Sequence, residues 1–124
     1  MSSLRILVVD DDKDFAESLG DVLGLNDYDV ELAYSGEEAL DRFGRRNFDV
    51  TFMEAKLPGK NGIESFLEMR KAKPEMKCII MTGYGMDRLL KKARENGVWA
   101  ILQKPLNVKK ILEMLKGIRP IGPY

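Results

Sequence analysis

Five short apolar runs punctuate the 124-residue chain, at Leu4 to Val9, Val30 to Ala33, Val50 to Met53, Cys78 to Met81 and Val98 to Leu102. Each has the length of a strand, and a segment with helical spacing separates each from the next. The runs are nearly continuous rather than alternating, as strands are when both faces of their sheet are covered. Right-handed crossovers put helices on those faces. The predicted fold is therefore α/β: a doubly wound, five-stranded parallel sheet, flavodoxin-like, with strand order 2-1-3-4-5. In such sheets the working site lies beyond the carboxyl ends of the strands, near the switch point between the first and third.

The segments between the runs carry their own signals. Phe15, Leu19, Val22 and Leu23 form one stripe of a first helix, whose Asp14, Glu17 and Asp21 face water. Asp12, just before it, is placed as its N-cap. Ser35 and Glu38 predict a capping box for a second helix to about Arg45 that buries Ala39, Leu40 and Phe43. A third helix opens at Gly62 and reaches Lys71, after the turn Pro58-Gly59-Lys60-Asn61. A fourth runs from Arg88 to Glu95 and stops at Asn96-Gly97, and Asn107 caps a fifth to about Lys116. The last eight residues contain two prolines and two glycines. The spacing predicts one domain over residues 4–117, with 118–124 as a C-terminal tail or the start of a linker.

Charge and composition narrow the function. Twenty Lys and Arg balance twenty Asp and Glu, so no net field draws the chain to nucleic acid or to an acidic membrane, and direct binding of either is not expected. No run approaches the ~18 apolar residues of a membrane span, and the N-terminus has no signal-peptide pattern. Cys78 is the single cysteine and lies inside an apolar run, which predicts a buried thiol in a reducing, cytoplasmic setting. Histidine is absent, so any phosphate chemistry on this chain falls to carboxylates.

Polar residues follow the apolar runs: Asp10, Asp11 and Asp12 after the first, Glu54 after the third, Thr82 after the fourth, Lys104 with Pro105 after the fifth. Clustered carboxylates resist joint ionisation unless a hard cation such as Mg²⁺ or an ammonium group offsets their charge. Asp10, Asp11 and Glu54 supply such oxygens and Lys104 such an ammonium. The combination Ile6-Leu7-Val8-Val9-Asp10-Asp11-Asp12, Pro58-Gly59-Lys60-Asn61-Gly62, Met81-Thr82-Gly83 and Lys104-Pro105 resembles the receiver domains of two-component response regulators along essentially the whole chain.

The resemblance implies a signalling module rather than an enzyme. Asp10 and Asp11 match the residues that hold a weakly bound Mg²⁺, with the acceptor carboxylate and a backbone carbonyl at Lys56 as further ligands. Thr82 matches the switch hydroxyl and Lys104 the phosphate-pairing lysine. Two positions depart from the pattern: Glu54 stands where the family has its phosphoacceptor aspartate, and Ile101 where it has a rotating aromatic, with Trp99 two residues earlier. The longer glutamate reaches about 1.5 Å farther, toward Thr82 or Lys104, which impairs phosphorylation or partly mimics it. The implied partners are a sensor histidine kinase or phosphotransfer protein and an output domain or effector protein. A homodimer face made by the fourth helix, fifth strand and fifth helix is also implied, with Lys91, Lys92, Arg94, Glu95 and Trp99 on it. The alternative reading is a haloacid-dehalogenase-like Mg²⁺-dependent phosphatase or phosphotransferase, on the strength of Asp10-x-Asp12. A late acidic motif is missing from it, since after Lys104 the only acid is Glu113.

Overall fold

The computed structural model describes residues 4–83 and 87–121. The first residues of the chain and the end of the tail, 122–124, lie outside them. In chain order the elements are β1 (Arg5–Val9), α1 (Lys13–Leu25), β2 (Asp29–Ala33), α2 (Gly36–Arg45), β3 (Val50–Glu54), α3 (Gly62–Ala72), β4 (Lys77–Thr82), α4 (Asp87–Glu95), β5 (Ala100–Gln103) and α5 (Val108–Lys116). The strands form one parallel sheet in the order β2-β1-β3-β4-β5. The flavodoxin-like arrangement expected from the alternation of runs is the one found.

Two cores flank the sheet. Leu7, Val9, Met53, Cys78 and Ile80 pack with Phe43, Phe66 and Leu90 of α2, α3 and α4 on one face. Ile6, Val8, Phe52, Ile79 and Met81 pack with Leu19, Leu23, Ile111 and Leu115 of α1 and α5 on the other. Adjacent strand residues thus serve opposite cores, and the central strands need apolar side chains throughout.

Helix starts follow local chemistry. The carboxylate of Asp12 accepts the Phe15 N–H at 3.1 Å, and the hydroxyl of Ser35 accepts the Glu38 N–H at 3.0 Å. Glu38 turns its own carboxylate to the Tyr34 N–H, so the reciprocal half of the expected box goes to the residue before the cap. The full capping box lies at α3, where Asn61 and Glu64 exchange both bonds.

Two expectations need correction. The fifth run is apolar from Val98, yet β5 begins at Ala100. The Val98 N–H is spent on closing α4, donating to the Ala93 carbonyl at 3.1 Å, so the strand starts later and Trp99 precedes it. In α1 the fully buried residues are Ala16, Leu19 and Leu23, while Phe15 and Val22 are half-buried. These two line a cavity of about 640 Å³ between α1 and the β5–α5 connection, with Leu106 and Val108 opposite.

Candidate functional site

Asp10, Glu54 and Lys104 meet at the carboxyl end of the sheet. Asp10 follows β1 and is 1% exposed, Glu54 ends β3 at 7%, and Lys104 follows β5. The Lys104 Nζ lies 2.6 Å from Asp10 Oδ2 and 2.6 Å from Glu54 Oε1. The remaining oxygens are also engaged: Asp10 Oδ1 accepts the Asp12 N–H at 3.0 Å and Glu54 Oε2 accepts the Lys56 N–H at 3.1 Å. Each of the four carboxylate oxygens therefore has an N–H partner, and the ammonium sits where the two charges would otherwise repel.

The backbone holds these groups in place. The Lys104 N–H donates to the Thr82 carbonyl at 2.8 Å, which extends the β4–β5 ladder to the lysine itself. Gly62 lets α3 begin against the end of β3: a Cβ there would lie 1.9 Å from the Glu54 carbonyl oxygen. The ring of Phe15 lies under the ammonium, with its centroid 4.1 Å from Nζ. That contact is invisible in the sequence, because Phe15 reads as one more apolar position of the α1 stripe.

The electrostatics are asymmetric. Burial pushes the Asp10 carboxyl above its ordinary value, and the bonds from Lys104 and from the Asp12 N–H oppose this without cancelling it. For Lys104 burial acts downward, but hydrogen bonds to Asp10 and Glu54 outweigh it and hold the ammonium above its ordinary value. Lys104 is thus a fixed cation, and Asp10 bears the cost of the buried charges.

The other candidates are placed as follows. Thr82 ends β4 and is 6% exposed, and Ile101 is half-buried in β5 opposite Ile80. Asp11 and the Lys56 side chain are exposed. Among the described residues no three acidic side chains converge to hold a metal ion. Carboxylate oxygens suit Mg²⁺ chemically, but in this arrangement Lys104 fills the gap between two of them and the third stands apart. The residues as placed do not fit the ion.

Residues 6–116 match the response regulator receiver domain. The chain belongs to that family. It is 35% identical over 110 residues to a response regulator receiver protein of Anaeromyxobacter sp. (strain Fw109-5), covering 89% of this chain and 46% of the relative, so it spans about half of that protein's length. It is 29% identical to sporulation initiation phosphotransferase F of Bacillus subtilis over 98% of both chains. A receiver domain protein (CheY-like) from Methanospirillum hungatei JF-1 superposes with a TM-score of 0.89 at 33% identity, covering 93% of this chain and 92% of that one. A response regulator from Burkholderia pseudomallei, solved with a phosphorylated aspartic acid, a calcium ion and citrate, gives 0.84 at 28% identity over 93% of this chain and 68% of that one.

This receiver is accordingly a module of the two-component type. Receiver domains typically bind Mg²⁺ at the acceptor site, interact with histidine kinases or phosphotransfer proteins, and in general signal rather than catalyse. Neither the family match nor these relatives support the haloacid-dehalogenase-like alternative. Among the described residues no helix is long and apolar enough to cross a membrane.

Proposed function

We propose that this receiver signals without being phosphorylated, with Glu54 at the phosphoacceptor position acting as a partial stand-in for the phosphorylated residue. The observation that carries the reading is the Lys104 ammonium 2.6 Å from Glu54 Oε1 and 2.6 Å from Asp10 Oδ2. A phosphoryl group on an acceptor would offer an oxygen to this lysine, and the glutamate carboxylate makes that contact already. Its mimicry is incomplete, since a carboxylate has one charge and two oxygens against roughly two charges and three oxygens.

The roles divide by residue. Lys104 binds the acid at position 54, Asp10 shares that cation, and Thr82 is the switch hydroxyl that turns toward the acid. Ile101, with no ring to rotate behind Thr82, shortens the conformational response. The domain works in the cytoplasm, its fixed conformation is read by an output domain or effector protein, and a histidine kinase or phosphotransfer protein docks on it without productive transfer.

The reading is tested by comparing backbone amide shifts of the chain with those of Glu54→Ala and Glu54→Asp. We expect Thr82, Lys104 and the β5 amides of Glu54→Ala to move away from the parent positions, because that variant leaves the lysine with Asp10 alone. A parent spectrum indistinguishable from Glu54→Ala at those residues would remove the stand-in role.

A further inference from the structure

The end of the sheet opposite this site holds a second buried carboxylate, Asp49, 1% exposed and immediately before β3. Its backbone is fixed between neighbouring strands: its N–H donates to the Arg5 carbonyl at 2.8 Å and its carbonyl accepts the Lys77 N–H at 3.0 Å. Its side chain faces two more donors. Oδ2 accepts the Arg5 N–H at 2.8 Å, and Oδ1 accepts the Ile121 N–H at 2.6 Å. One oxygen thus closes the start of β1, and the other reaches the segment after α5.

That segment touches both cores. Ile118 is 7% exposed and belongs to the α1 and α5 core, while Ile121 packs against the core of α2, α3 and α4. Three extended residues cover about 10 Å, enough to carry the chain past the edge of one sheet. Pro120 lies between, fixing its own φ and biasing Arg119 toward an extended backbone, which lowers the entropy lost on docking. The composition that reads as a loose tail therefore also suits a stiff crossing.

We infer that residues 118–121 form a strap, clasped by the Asp49 carboxylate, that fixes where the chain goes after α5 and can open without unfolding the domain. Among the described residues, residue 121 is held by one hydrogen bond and one half-buried side chain, whereas the central strands are held by full ladders and two cores, so opening is local. With the strap shut, Ile121 is held at a set place on the α2–α3–α4 side. With the strap open, that place is lost. The packed unit then extends past residue 117, where the sequence pattern ends it.

Amide hydrogen exchange on the full chain tests the clasp. The Ile121 amide should exchange at least tenfold more slowly than that of Arg119 in the parent. In Asp49→Asn, where an amide group replaces one acceptor oxygen, its protection should fall to within about twofold of Arg119 while Val8 and Phe52 keep theirs. Ile121→Pro removes the donor without touching the sheet, and covers the case in which Asp49→Asn does not fold. There the Arg119 order parameter should drop from about 0.85 to below about 0.6. A parent Ile121 amide as fast as that of Arg119, undiminished protection in Asp49→Asn, or an equally rigid Arg119 in Ile121→Pro would overturn the clasp. Equal protection of Ile121 and Phe52 in the parent, lost together, would overturn the independent opening.

Discussion

Lys104 neutralises two acids that the fold forces together, and removing it leaves both without compensation. Lys104→Gln should destabilise the domain by about 2–3 kcal/mol at neutral pH, somewhat less than the ~3–5 kcal/mol of a fully buried pair because Lys104 is partly exposed, measurable by urea denaturation. The two shifted groups act at opposite ends of the pH scale. The raised Lys104 pKa contributes stability in full below its ordinary value of 10.5, and that stability is lost as pH rises through the higher folded value. The raised Asp10 pKa works the other way: its charge is a cost at neutral pH, relieved as pH falls toward a folded value above 3.8. The stability of Asp10→Asn relative to the parent should therefore be highest at neutral pH and fall toward pH 4. A difference that instead grows in the variant's favour toward pH 4 would contradict the burial cost. Thr51 gives a separate check, because its hydroxyl is fully buried with no hydrogen-bond partner among the described residues. Thr51→Val should stabilise by about 1 kcal/mol, raising Tm by about 4 °C.

At the scale of elements, the sequence was most readable where one local signal had no competitor. Asp12 before the α1 stripe and Asn107 before α5 are caps in the structure as expected. The start of β5 was less readable, since Val98 and Trp99 are apolar yet the Val98 N–H closes the preceding helix, a choice of partner that hydropathy does not encode. Asn61 reads as part of the turn before Gly62, and its exchange of bonds with Glu64 is a side-chain pairing that the structure adds. The α3 start also carries a prediction. Gly62→Ala would drive a methyl group into the Glu54 carbonyl, so a loss of about 2–3 kcal/mol is expected from the forced backbone shift. The Lys56 and Glu54 amide signals should move with it. A fully stable Gly62→Ala with unmoved Glu54 would show that this close approach does not set the site.

For the molecule as a whole, strand order was legible, and so was the meeting of Asp10, Glu54 and Lys104, because a doubly wound sheet brings the ends of β1, β3, β4 and β5 to one edge. Distances were not legible. The acids and the lysine could be assigned to one edge, but whether they would enclose a cation or clasp Lys104 depends on side-chain packing, including the Phe15 ring beneath the ammonium. Association remains a matter of surface. Trp99 is 41% exposed beside the charged end of α4, and if copies associate through the α4–β5–α5 face, Trp99→Ala should weaken the dimer about tenfold or more by sedimentation. A contact mapped to α1 would count against that face. The most direct test of the central claim is intact-mass analysis after incubation with acetyl phosphate and Mg²⁺, run on the parent and on Glu54→Asp side by side. A phosphoryl adduct is expected on Glu54→Asp and none on the parent; stoichiometric phosphorylation of the parent at Glu54 would contradict phosphorylation-independent signalling.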